Sequence, residues 1–204
     1  MGRVGGGRRG GGPGGGGGQR ADGGGQGQAG AIGIVAIGTI AGVGASAPWA
    51  SAATGATTIY DSTNPSAIPA GQHVATYSNG AFQASSSSVA GRGNVLWIDT
   101  NGSNTHASAL DVEPGDATPA QAAQWVNAKL TASPHSDAIV YTFKSDWSSV
   151  QGQINTLPSW EQSHVKYWIA DPTGTPHNVA GASATQWYWG SNYDISSAQP
   201  GFFS

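Results

Sequence analysis

The chain has 204 residues, a formal net charge of −3 and no cysteine, so disulfides and thiolate metal sites are excluded. The charge is unevenly spread. Residues 53–204 carry four basic side chains (Arg92, Lys129, Lys144, Lys166) against ten acidic ones, a net −6 that argues against nucleic acid or an anionic membrane as partner.

The N-terminal part is made of different material. Seventeen of the 33 glycines and four of the eight Lys+Arg lie in residues 1–30. Residues 1–28 offer too little apolar surface to offset ordering entropy. Residues 29–44 are apolar but small, and Ala45-Ser46-Ala47 and Ala50-Ser51-Ala52 follow. Basic segment, short apolar segment and Ala-x-Ala is a secretory layout, with a mature start near Ala53. Residues 1–52 are therefore expected to be a leader, disordered or removed, and 53–204 a secreted domain. A membrane anchor is the competing reading of the apolar run, which at about 16 residues falls short of the ~20 a spanning helix needs.

In the second part, Thr57–Asp61 reads as a strand ending on an acid, His73–Tyr77 as a second and Asn94–Asp99 as a third. Residues 81–91 are serine-rich and fit either a helix or a loop. Thr100–His106 is a polar loop too short for a helix, and Ala107–Glu113 is a fourth strand. Thr118 offers a capping box with Gln121 and has Pro119 behind it; Ala122, Trp125, Val126, Lys129 and Leu130 then keep helical spacing. Ala138–Thr142 is a fifth strand. Ser145 is placed to cap a helix carrying Trp147, Val150, Ile154 and Leu157. Val165–Asp171 and Ala184–Trp189 are strands six and seven, and Tyr193–Ile195 is a short eighth. Repeated strand and connection, with strands apolar enough to be interior, predicts an α/β fold: a reduced (β/α)8 TIM-type barrel of seven to eight mostly parallel strands with few helices.

Several strands end on acids: Asp61, Asp99, Glu113 and Asp171. Residues two apart on a strand share a face, so Asp111 and Glu113 stand side by side where strand four meets Pro114-Gly115. Adjacent carboxyls resist joint ionisation, and a pair of unequal pKa is what glycosidic cleavage requires. By itself an Asp-x-Glu is more often structural, Asp111 bonding to neighbouring backbone and Glu113 capping a turn. Tyr77 and Tyr141 lie near strand ends. Trp187 and Trp189 fall on one face by alternation, with Tyr188 on the other; they suit core packing or a sugar platform.

The ordered pieces Ile59-Tyr60-Asp61, Leu110-Asp111-Val112-Glu113, Ile139-Val140-Tyr141-Thr142, Trp168-Ile169-Ala170-Asp171, Gln186-Trp187-Tyr188 and Tyr193-Asp194 resemble the lysozyme-type muramidases of glycoside hydrolase family 25 and the glycoside-hydrolase-like barrels of secreted actinobacterial proteins. The resemblance implies Glu113 as general acid, with Asp111, Asp61 and Asp194 as acidic partners. It also implies the β-1,4 link of peptidoglycan as the bond cut. Tyr77, Asp99, Tyr141, Asp171, Trp187 and Trp189 are then the candidates for substrate contact. Strand three departs from that pattern, ending in Trp97-Ile98-Asp99. The alternative function is accordingly a catalytically inactive barrel acting as a cell-wall glycan-binding or interaction domain.

No cofactor is implied and a monomer is expected. The histidines (73, 106, 135, 164, 177) show no ligand spacing, and a metal site from Asp99, His106 and Asp111 is the only combination they suggest. No Gly-x-Ser-x-Gly elbow and no phosphate-binding glycine loop after a strand is present.

Overall fold

The computed structural model describes residues 55–92 and 94–203, and the leader assigned to residues 1–52 lies outside them. Eight strands close a barrel in chain order: β1 (Thr57–Asp61), β2 (His73–Tyr77), β3 (Val95–Asp99), β4 (Ala109–Val112), β5 (Ala138–Phe143), β6 (Val165–Ala170), β7 (Ala184–Tyr188) and β8 (Asp194–Ala198). Strands β1 to β7 run parallel, whereas β8 is antiparallel to both β7 and β1. The short eighth strand read from sequence is thus longer and reversed. Five residues, 189–193, separate it from β7, enough for a hairpin and too few for a parallel crossover.

Reversal has a consequence for chemistry. The parallel strands all present their last residues to one rim. An antiparallel strand presents its first residue there, and in β8 that residue is Asp194, paired with Asp61 of β1.

Alternation sorts side chains into a lumen and an outer face. Ile59, Ala75, Leu96, Ile98, Ala109, Ile139, Ala184 and Ala198 fill the lumen together with the large rings of Tyr77, Tyr141 and Trp168. The alanines leave room for those rings, and Phe202 packs into the same cluster.

Outside, Leu110, Val112 and Val140 are covered by α1 (Pro119–Ala132) and α2 (Trp147–Ile154) through Trp125, Val126, Leu130, Val150 and Ile154. Burying each of those aliphatic side chains contributes roughly 1.5–3 kcal/mol. α1 starts with the anticipated capping box: Gln121 N donates to Thr118 Oγ1 (3.3 Å) and Thr118 N to Gln121 Oε1 (2.9 Å). Lys129 sits in the apolar stripe because its ammonium reaches the carbonyls of Thr105 and Ala107 (3.2 and 2.7 Å). α2 begins after Asp146 rather than Ser145, without a side-chain cap, and a five-residue α3 (Ser159–Ser163) follows.

Among the described residues, no α-helix covers the opposite wall. Tyr60, Val74 and Ile195 are covered there by Ile68 and Val89, next to and within two 3-10 turns, Pro65–Ala67 and Ser86–Val89. This is why the barrel is a reduced one.

Candidate active site

Four acids converge at the rim. Asp61, Asp111 and Asp194 occupy inward positions at strand ends, and Glu113 follows one residue beyond β4 on the same alternation. They are almost fully enclosed, at 4, 1, 7 and 8% exposure for Asp61, Asp111, Asp194 and Glu113.

Gln186 of β7 organises one side of this group. Its amide nitrogen donates to both oxygens of Asp61 (3.1 Å each), while its carbonyl accepts from Tyr141 Oη (2.9 Å) and Trp189 Nε1 (2.6 Å). With both ends of the amide committed, its orientation is fixed. Asp111 Oδ1 and Glu113 Oε1, by contrast, are buried without a hydrogen-bond partner.

Burial dominates the electrostatics. It raises Asp61 well above the usual carboxylate range, Asp194 opposite raises it further, and the Gln186 amide pulls it partway back. Burial also holds Asp111 well up, with Glu113, Asp116 and Asp61 adding to the effect. Glu113 is pushed to about 7 by burial, the Tyr141 hydroxyl drawing it down and Asp116, Asp194 and Asp146 drawing it up. Asp194 is pushed to about 6 by burial, against the Gly190 N–H that donates to its Oδ1 at 2.9 Å. Tyr77 and Tyr141 are raised by burial and by these acids, so both phenols stay protonated as donors.

One member of the group was not singled out in the sequence. Glu113-Pro114-Gly115-Asp116 forms a β-turn, Asp116 N donating to Glu113 O (3.0 Å), with Gly115 at φ +104°. Proline second and a positive-φ glycine third is the type II pattern. Ala117 N then bonds Asp111 O (3.2 Å), and Asp116 folds back until one oxygen each of Asp111, Glu113 and Asp116 lie within 4.8 Å of one another. Burial pushes Asp116 to about 6. The Pro-Gly dipeptide was the available signal, since a tight turn returns the fourth residue beside the first. Gln186 carried only the weaker signal of sharing an inward parity with Ala184.

The other candidates divide. Tyr77 and Tyr141 line the lumen under the acids. Trp189 joins them, its ring 6.0 Å from Phe143. Trp187 does not. Register slips between Gln186 and Tyr188, so the face shared by Trp187 and Trp189 in a regular strand is split. Trp187 packs on the outer wall and donates to Ser197 Oγ (3.1 Å).

Asp99 is likewise removed from the site, because its parity opposes the inward Leu96 and Ile98. Its oxygens accept from Asn79 Nδ2 (2.7 Å), Asn101 N (3.1 Å) and Asn104 N (2.7 Å), organising the 100–107 loop. Asp171 stands outside the acid group, paired with Lys144 (2.7 Å) and His177 (3.0 Å). Asp99 facing outward and Asp111 inward also dissolves the His106-based metal trio. Among the described residues, Asp111, Glu113 and Asp116 are the group whose spacing could hold a cation.

Two pockets open on the acids from different sides. One of about 300 Å³ is lined by Glu113, Gly115, Asp116, Thr118, Asp146 and Ser149. The other, about 50 Å³, is lined by Asp61, Ser62, Asn192, Tyr193 and Asp194.

No family model matches the chain, and no curated protein matches it. Among solved structures, the bacterial lysozyme from Streptomyces coelicolor is similar at 16% identity and a TM-score of 0.42, over 71% of this chain and 92% of that one. At that identity and score the likeness carries no inference about activity. The closed, mostly parallel α/β barrel rests on its own strand order.

Proposed function

We propose that the barrel hydrolyses a glycosidic bond of cell-wall glycan, with the β-1,4 link of peptidoglycan as substrate and Glu113 as general acid. The observation that carries this reading is the convergence of Asp61, Asp111, Glu113 and Asp194 at the strand-end rim with one buried, unpartnered oxygen on Glu113. That oxygen is free to deliver a proton to a leaving group, and a pKa of about 7 leaves a large share of Glu113 protonated at neutral pH. Cleavage builds positive charge on the sugar, and neighbouring acids lower the energy of that cation in their ionised form, which Asp194, pushed to about 6, reaches at neutral pH. Asp61, gripped by Gln186, is the best-oriented of them, with Asp111 and Asp194 flanking. Tyr77, Tyr141 and Trp189 supply ring surface for the substrate.

The test is clearing of purified cell walls by the full chain against Glu113→Gln, with matched circular dichroism. The expected result is loss of clearing by at least 10²-fold in Glu113→Gln. Equal clearing by both proteins, or none by either, would remove the acid role.

A second reading, a wall-binding module without catalysis, is favoured by one observation. The pocket beside Asp61 and Asp194 is a shallow one, about 50 Å³ against about 300 Å³ for the pocket beside Asp116. Co-sedimentation of both proteins with walls, without clearing by either, would establish it.

A further inference from the structure

The rim also brings three carboxyl groups within reach of a single ion. Three oxygens within 4.8 Å of one another, from Asp111, Glu113 and Asp116, leave a centre no more than about 2.8 Å from each. Shifts of a few tenths of an ångström bring that to the roughly 2.3–2.6 Å of calcium–oxygen contacts, whereas magnesium's roughly 2.0–2.1 Å demands a larger collapse. Crowded acids alone do not make a site. The independent observation is the state of Asp111, a member of the cluster that is 1% exposed and keeps a buried carboxyl oxygen without a hydrogen-bond partner. Buried carboxylate oxygens are normally given a donor, because leaving one bare costs more than a hydrogen bond returns.

The described lysine ion pairs lie elsewhere, Lys144 with Asp171 and Lys166 with Asp137, and His177 and His164 sit against the same two acids. Arg92 and Lys129 donate to backbone carbonyls. Access comes from the 300 Å³ pocket, where Asp146 adds negative charge to the wall and water can complete the coordination shell. The Pro114-Gly115 turn, whose effect is to set Asp116 beside Asp111, fits a ligand loop.

We propose that Asp111, Glu113 and Asp116 bind one calcium ion, entering from the pocket lined by Asp116 and Asp146. The ion occupies the Glu113 oxygen that would otherwise carry the proton. In that respect the inference rests on the hydrolase reading: calcium and bond cleavage exclude one another.

The experiment strips the full chain with a chelator, then titrates calcium chloride by calorimetry and follows thermal melting. One site is expected, with Kd on the order of 10⁻⁴–10⁻³ M and a rise in Tm. Asp116→Asn, isosteric and at a half-buried position, should keep its circular dichroism and bind at least tenfold more weakly. Absence of heat and of any Tm shift at ~10 mM calcium, or undiminished binding by Asp116→Asn, overturns the site. Magnesium binding as tight as calcium overturns the assignment of the ion. In the wall-clearing assay, calcium should slow the unsubstituted chain and slow Asp116→Asn only at correspondingly higher concentration; clearing that ignores bound calcium overturns the antagonism. A chain that binds calcium yet never clears walls upholds the site and removes the hydrolase reading instead.

Discussion

Asp61 and Asp194 are directly opposed partners across the antiparallel β1–β8 ladder, both facing the lumen and both almost fully buried. Like charges in that relationship repel, so the native barrel favours keeping a proton there. Asp194 is pushed to about 6, and Asp61 well above the usual range. In the unfolded chain both groups ionise near pH 4.

Between those values the native state binds more protons than the unfolded one, so stability falls as pH rises. The contribution is fully present below about pH 4 and is lost as pH climbs through about 6 for Asp194 and higher for Asp61. Asp194→Asn keeps the acceptor for Gly190 N–H and removes the charge. It should stabilise the chain at pH 8 by roughly 1–3 kcal/mol and change little at pH 4. Urea denaturation at the two pH values, in the presence of a chelator, measures the difference. An Asn variant less stable at pH 8 would show that the pair is held as a stabilising anion.

Tyr141→Phe probes the acid itself. The phenol has one proton, given to Gln186 Oε1 or turned toward Glu113, and it is the group that draws Glu113 down. Without it Glu113 rises above about 7, so the alkaline limb of the wall-clearing profile should move upward by about half a unit or more. The maximal rate should fall as well, because Gln186 loses one of the two donors that orient its amide on Asp61. A profile that keeps its alkaline limb would assign that limb to another group.

The barrel was legible because its strands are nearly continuous apolar runs that end on acids, and because Thr118-Pro119 and the Ala122–Leu130 stripe announce α1. The direction of β8 was hidden in the length of a connection, five residues at 189–193, rather than in any strand pattern. Parity then decided the site. Counting by two places Asp111 and Glu113 together and sets Asp99 on the wrong face, but the count fails at Trp187, where the bulge inserts a residue. Long-range partners such as Gln186 on Asp61, 125 residues apart, have no local signature at all.

Asp99→Ala separates a structural acid from a substrate ligand. Three donors, two of them backbone, lose a charged acceptor together with the fold of the 100–107 loop. The expected cost is roughly 2–4 kcal/mol of stability, measured by urea denaturation. At a temperature where the variant is folded, wall clearing per folded molecule should match the parent, since Asp99 faces away from the lumen. Lost clearing with unchanged stability would return Asp99 to the site.

Gly190→Ala acts on the same acid pair from the backbone. A β-carbon at Gly190 would stand 2.4 Å from Tyr193 O and 2.9 Å from Tyr188 Cε1. The carbonyl belongs to the hairpin that reverses the chain into β8, so the strand cannot simply step aside. Two effects should appear together. Forced opening of the hairpin costs roughly 1–3 kcal/mol, and the Gly190 N–H moves off Asp194 Oδ1, removing the one hydrogen bond that lowers that acid. Asp194 should therefore titrate above its present value of about 6, read from the pH dependence of stability in Gly190→Ala against the parent. An alanine variant with unchanged stability and an unchanged pH dependence would mean that the 189–193 hairpin does not hold Asp194 in place.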